Sequence, residues 1–232
     1  MKPLAVITGV GPGTGAALAH RFDQGGYRVA LLARNLTRLQ DLAGELHDAI
    51  VSPCDVADPT ALKSALDEIQ FQAGAPRVVI HNAVGGAFGN FLEVDPDVLE
   101  RNFQVNVMAL LYLARNLAPP MVENGGGALI VTGNTSAIRG KAQFAGFAPT
   151  KAAQRILAES IAREMGPKGL HVAYLVIDAV IDAPWARSRF TDAPEDFFIQ
   201  PSAIAEEAWH LAHQDRSAWS FFAEVRPFAE TW

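Results

Sequence analysis

Thr8-Gly9-Val10-Gly11-Pro12-Gly13-Thr14-Gly15 is the stretch that decides the fold. It comes after a short apolar run, Leu4 to Thr8, and opens a segment of helical period in which Ala16, Leu18, Ala19 and Phe22 recur. Glycines at these places let the chain turn tightly and bring backbone N–H groups against a pyrophosphate at a helix N-terminus. A second apolar run, residues 28–33, begins about twenty residues on, so the unit reads as strand, glycine loop, helix, strand. That context turns a weak glycine cluster into a dinucleotide site whose candidate cradle is Gly9, Gly11, Gly13, Thr14 and Gly15.

The same alternation runs to the end of the chain. Apolar runs at 49–52, 78–81, 128–132, 172–177 and 219–225 alternate with helical stretches at 14–24, 36–46, 59–74, 96–124, 147–165 and 202–213. This predicts an α/β fold: a Rossmann-type doubly wound parallel sheet of about seven strands with helices on both faces. No repeat or linker divides the chain, so one dinucleotide-binding domain is expected over residues 1–232.

Composition narrows the class of partner. Half of the 232 residues are hydrophobic and the formal net charge is -6 with no Lys/Arg-rich run, which argues against nucleic acid and a polybasic membrane surface. No segment approaches the ~18 apolar residues of a membrane span, and the apolar N-terminal run is too short for a signal peptide, so a cytoplasmic protein is expected. The single cysteine, Cys54, excludes an internal disulfide and a cysteine-rich metal site, and reads as a small buried residue. His210 and His213 read as surface, His81 as a hydrogen-bonded structural histidine, and no metal is expected. The aromatic tail from Phe221 to Trp232 is expected to pack on the body or on a neighbouring subunit.

Cofactor choice depends on the residues just after the second strand, because a carboxylate there bonds a ribose 2'-hydroxyl whereas an arginine pairs with a 2'-phosphate. Here the run is Leu31-Leu32-Ala33-Arg34-Asn35. Arg34, helped by Arg38, favours NADP(H) over NAD(H).

Further motifs fall in a fixed order. They are Cys54-Asp55-Val56 after the third strand, His81-Asn82-Ala83-Val84-Gly85 after the fourth, Val105-Asn106-Val107 within a helix, Phe147-Ala148-Pro149-Thr150-Lys151, and Glu164 to Val172 approaching the sixth strand. With the spacing Thr-Gly-x-x-x-Gly-x-Gly, they resemble the short-chain dehydrogenase/reductase family along nearly the whole chain. The resemblance implies a dinucleotide-dependent oxidoreductase in which Asp55 and Val56 meet the adenine and Asn82 and Ala83 line the cofactor groove. It also implies that Asn106 anchors a proton-relay water and Lys151 holds the nicotinamide ribose. A homodimer or homotetramer is implied too, with the helices at 96–124 and 147–165 as its interface.

The chain departs from that family at the chemical end. Phe147 stands in the slot of the proton-donating tyrosine, and a phenyl ring cannot donate a proton. Asn134 falls in the serine slot on an ungapped reading, with Thr135 or Ser136 as the alternative hydroxyl after a local shift. Ile181 keeps backbone groups for the carboxamide, whereas Ala183 replaces a threonine hydroxyl. Asp178 is expected near the nicotinamide pocket, either as a substitute proton donor with a raised pKa or as a partner of the loop backbone. Residues 184–190 read as a compact lid or as a packing segment. Two functions fit this set: an NADP(H)-dependent oxidoreductase acting on a small carbonyl or alcohol through an altered tetrad of Lys151, Asn106 and Asn134 or Ser136, or a catalytically silent nucleotide-binding module acting as sensor or scaffold.

Overall fold

In the computed structural model, which describes residues 2–230, the apolar runs become strands and the periodic stretches helices. In chain order these are β1 (Leu4–Thr8), α1 (Thr14–Gln24), β2 (Arg28–Ala33), α2 (Leu36–Ala43), β3 (Ala49–Pro53), α3 (Pro59–Ala73), β4 (Val78–His81), α4 (Pro96–Phe103), α5 (Ala109–Glu123) and β5 (Gly127–Gly133). They continue with α6 (Ala148–Met165), β6 (Leu170–Ile177), β7 (Val180–Ile181), α7 (Pro184–Arg189), β8 (Phe198–Ile199), α8 (Pro201–Ala212) and β9 (Phe222–Val225). Short polar side chains start several helices: Asn35, Asp58 and Asp95 each accept from a first-turn N–H of α2, α3 and α4.

Seven strands form one parallel sheet in the order β3-β2-β1-β4-β5-β6-β9. The chain builds outward from β1 to β3, then returns to β4 on the other side of β1. Between the carboxyl ends of β1 and β4 the two halves diverge, which opens the crevice where such sheets bind ligands. Alternation along each strand sends Leu4 and Val6 to one face and Ala5 and Ile7 to the other. The first face packs α3, α5 and α6 through Leu62, Leu66, Leu110, Leu113 and Ala158. The second packs α1, α2 and α8 through Leu18, Phe22, Leu39, Ile204 and Leu211. The result is the three-layer, single-domain sandwich that the periodicities predict.

Several boundaries differ from the sequence reading. The stretch 96–124 is not one helix: a π turn at Gln104–Met108 joins α4 to α5, and Asn106 lies in it. A π turn leaves a residue's main chain out of the regular ladder, and periodicity cannot show this. β7 and β8 pair as a small separate sheet, Val180 with Phe198 and Ile181 with Ile199, which is too short to read from sequence. The expected strand at 219–225 begins at Phe222. The tail is packed only in part: Phe221 leans on the core, but Phe228 is 91 % exposed, and Thr231 and Trp232 lie outside the described residues. His213 is exposed, as read, and caps the end of α8 with Nε2 3.0 Å from the Tyr27 hydroxyl. Among the described residues no helix is long and apolar enough to cross a membrane.

Candidate active site

The crevice is a groove of about 980 Å³ that runs from Arg34 and Asp55, over the glycine loop, to Gly85, Gly86, Ile181 and Trp185. Gly9 has φ +72°, and a Cβ on it would lie 2.4 Å from Ala83 Cα, so only glycine fits between β1 and the β4 loop. A Cβ at Gly11 would meet nothing within 4 Å. The open side of the loop is therefore the ligand side. Asn82 ties the loop down: its Nδ2 donates to Gly9 O (2.9 Å), and its Oδ1 accepts from the Thr132 hydroxyl (3.1 Å). The Ala83 N–H reaches Thr8 Oγ1 at 3.4 Å.

These residues fit a dinucleotide. Helix α1 begins at Thr14 with no side-chain cap; the Ala16 and Ala17 N–H groups donate to Gly11 O (2.9 Å) and Gly13 O (3.1 Å), which leaves those of Thr14 and Gly15 for an anion. Thr14 Oγ1 is buried without a hydrogen-bond partner, an orphan that a phosphate oxygen would satisfy. At the far end Arg34 and Arg38 line the groove, joined by Arg101 from α4, which the sequence reading missed. Arg101 donates to Asp55 Oδ2 at 2.7 Å while Ala57 N–H reaches Asp55 Oδ1 at 3.0 Å. Burial pushes the Asp55 carboxyl up, but the Ala57 N–H and the Arg101 and Arg34 charges outweigh it, so its pKa is lowered and it stays ionised. Val56 completes that wall. Cys54 is buried with its thiol pushed up to about 11, first by burial and then by the Asp55 and Asp58 charges, an inert packing residue as expected.

At the opposite end the expected catalytic set divides. Phe147 is 6 % exposed and starts α6; a Cβ on Gly86 would lie 3.2 Å from its ring, so it backs the groove wall there. Its ring also meets Phe88 at 5.7 Å, and Phe88 meets Phe144 edge-on at 5.1 Å. Asn134 turns its Oδ1 to the Ser136 N–H (3.1 Å), which leaves the Nδ2 donor without a partner among the described residues. Ser136 lines a second cavity beside Ile138 and Arg139, and neither it nor Asn134 is among the residues that line the cofactor groove. Asp178 is engaged with its own loop cluster: it accepts from the Thr135 hydroxyl at 3.0 Å and faces Arg139 at 4.0 Å. The partner is a side chain rather than the expected loop backbone.

Lys151 lies beneath the groove rather than on its lining. It is 3 % exposed, and its Nζ donates to Thr132 O (3.0 Å) and to Gln154 Oε1 (2.5 Å). Burial lowers its pKa to about 7. Asn106 clasps the β4 loop, accepting from Gly85 N–H at 2.9 Å and donating to Gly85 O and to the Thr150 hydroxyl, each at 2.8 Å. Its main-chain carbonyl accepts from Gln154 Nε2 at 2.8 Å. Gln154 and its neighbour Tyr174 were missed by the sequence reading. The available signal was a polar residue on the buried stripe of α6, three places after Lys151. His81 is structural as read: it is fully buried, Nδ1 lies 3.0 Å from Thr8 Oγ1, and burial followed by the Lys151 charge pushes it down to about 3.

The lid segment is α7, stapled rather than open. Arg187 pairs with Asp182 at 2.7 Å and with Glu195 at 2.7 Å and lies 4.1 Å over the Phe198 ring, so it is spent on the loop and is not free for an anionic substrate. Trp185, 61 % exposed, faces the groove, and Ala183 comes within 3.6 Å of a Cβ placed on Gly13.

A doubly wound sheet with an anion-ready glycine loop at its switch point defines a dinucleotide-binding protein. The family model for short chain dehydrogenase matches residues 3–192, and the chain belongs to that family, as an oxidoreductase-type fold with an NAD(P) groove. It is 34 % identical over 177 residues, covering 72 % of this chain and 70 % of the relative, to an uncharacterized short-chain type dehydrogenase/reductase of Sinorhizobium fredii. Among solved structures it is similar to a short-chain dehydrogenase from Rhodopseudomonas palustris, with TM-score 0.84, 29 % identity, and 97 % and 99 % of the two chains covered. It is also similar to a metagenomic short-chain oxidoreductase in complex with NADP, with TM-score 0.85, 26 % identity and 97 % of each chain covered.

Proposed function

We propose that this protein is an NADP(H)-preferring oxidoreductase acting on a carbonyl or alcohol without a tyrosine proton donor. The observation that carries the preference is the adenosine end of the groove. Arg34, Arg38 and Arg101 line it, and the one carboxylate there, Asp55, is already paired with Arg101. A 2'-phosphate gains charge-assisted hydrogen bonds in such a place and meets no free carboxylate. The metagenomic relative bound to NADP supports the same reading.

When bound, NADPH supplies the hydride. The protein's own residues hold and orient: the Gly9–Gly15 loop, Thr14 and the start of α1 take the pyrophosphate, and Arg34 and Arg38 take the 2'-phosphate. Protonated Lys151 has three N–H donors and spends two of them inward, which leaves one for a ribose hydroxyl above it. Asn134 Nδ2 is the donor available to polarise a carbonyl oxygen, and Phe147 with Gly86 forms an apolar wall that keeps water away. General acid help is worth about 10²–10⁴ in rate, so turnover is slow relative to a tyrosine-bearing enzyme but well above zero. The test is a fluorescence titration with NADPH and NADH, then NADPH oxidation across a panel of aldehydes and ketones. Tighter NADPH binding with carbonyl-dependent oxidation is expected. Binding without turnover on any of the panel, with Lys151→Ala altering only cofactor affinity, overturns the enzymatic part.

A further inference from the structure

We propose that Gln154 and Tyr174 are positioning residues that hold Lys151 in place from beneath the cofactor groove, by bridging its ammonium to the main chain of the π turn. The inference rests on the reading of Lys151 as a cofactor-facing residue. Both side chains are fully buried, and every polar atom of the Gln154 amide is used across elements. Oε1 accepts from Lys151 Nζ within α6 and from the Tyr174 hydroxyl of β6 at 3.2 Å; Nε2 donates to Asn106 O at 2.8 Å. The Tyr174 hydroxyl stands 3.3 Å from Lys151 O as well, so the phenol braces both the lysine's main chain and its amide partner.

The site is built for this arrangement. A Cβ at Gly133 would lie 2.1 Å from the Tyr174 ring, so the phenol fits only because the residue before Asn134 has no side chain. The Asn106 carbonyl reaches inward because it lies in the π turn, and its side chain is fixed separately by Gly85 and Thr150. A buried amide whose donor and acceptor meet partners on different elements locks one arrangement, since any rotation leaves a buried polar atom unpaired. His81, the titratable group on another element that feels the Lys151 charge, is neutral in the fold, and its ring is held by Thr8 instead. Lys151 therefore takes its position from Gln154 and Thr132.

Gln154→Met keeps the side-chain volume and removes both polar functions, whereas Gln154→Glu keeps the acceptor for Lys151. Two measurements on the full-length protein separate positioning from packing: the acetylation rate of Lys151 by acetic anhydride, read by mass spectrometry, and NADPH affinity by fluorescence. Gln154→Met is expected to label Lys151 about tenfold faster and to bind NADPH about tenfold more weakly, whereas Gln154→Glu, which keeps the acceptor for Lys151 but loses the donor to Asn106 O, is expected to label Lys151 more slowly than Gln154→Met. In a Lys151→Met background Gln154→Met is expected to add no further loss of affinity, because it acts through the lysine. Unchanged Lys151 labelling in Gln154→Met, or simple additivity in the double variant, overturns the proposal. Should Gln154→Met not fold by circular dichroism, Tyr174→Phe decides: it removes one oxygen and is expected to speed labelling in the same direction, and an unchanged rate overturns the proposal. If NADPH fails to bind wild type, the cofactor reading falls while the labelling comparison still decides the role of Gln154.

Discussion

Lys151→Met is expected to flatten the pH dependence of stability between pH 7 and 9. Burial lowers the Lys151 pKa from 10.5 to about 7 in the folded protein, while the unfolded chain keeps the ordinary value. Between those limits the unfolded state binds more protons, so stability rises with pH by up to ~1.4 kcal/mol per unit. Below pH 7 the folded protein carries the whole cost of a buried ammonium, and above pH 10.5 that cost is gone from both states. Over pH 7 to 9, allowing for the half-titrated folded lysine at the lower end, the gain is about 2 kcal/mol. Cys54 opposes it near the top of the window: its thiol is raised from 9.0 to about 11, so stability is lost as the unfolded thiol ionises. That contribution is common to both proteins and cancels in their difference. Urea titrations at half-unit pH steps supply the comparison. A wild-type-minus-variant difference that stays level or falls from pH 7 to 9 refutes the assignment of Lys151 as a buried, easily deprotonated amine. If the variant does not fold, the wild-type rise between pH 7 and 8.5 is the direct readout.

Arg34→Ala is expected to weaken NADPH binding about 10–100-fold and to leave NADH within threefold, as the loss of a charge-assisted phosphate contact requires; equal losses for both cofactors in fluorescence titrations count against a 2'-phosphate site. Gly133→Ala brings a methyl group to 2.1 Å from the Tyr174 ring, so a destabilisation of about 3 kcal/mol is expected in urea melts, and a change under about 0.5 kcal/mol argues against that packing. His81, held down at about 3 by burial and then by the Lys151 charge, is neutral in the fold and protonated in the unfolded chain below pH 6.5. Stability is therefore expected to fall as pH drops from 6.5 toward 4, more steeply in wild type than in His81→Gln, and parallel profiles would remove His81 as a source of acid sensitivity.

The architecture and the place of the glycine-loop groove were legible in the sequence, because both depend on features that are local in the chain. Alternating apolar runs and helical periods fix strands, helices and their order, and the Thr8–Gly15 loop with Arg34 carries its meaning within a few residues of one strand end. Phe147 was equally legible as a ring with no proton to donate, since that is a matter of residue type alone. The chemical end was decided only in three dimensions. Asn134 and Ser136 are two residues apart and indistinguishable by motif, yet one keeps a free amide donor while the other lines the second cavity. That Thr135 and Arg139 stand beside Asp178 was likewise visible only in the structure. Arg101 reaches Asp55 from 46 residues away, and Tyr174 meets Gln154 across two elements. The π turn that aims Asn106 O at Gln154 leaves no trace in a helical period. Hydrogen bonds of this kind depend on where separate elements are brought together, and the position of Lys151 beneath the groove is set by those contacts and not by its place in the pentapeptide.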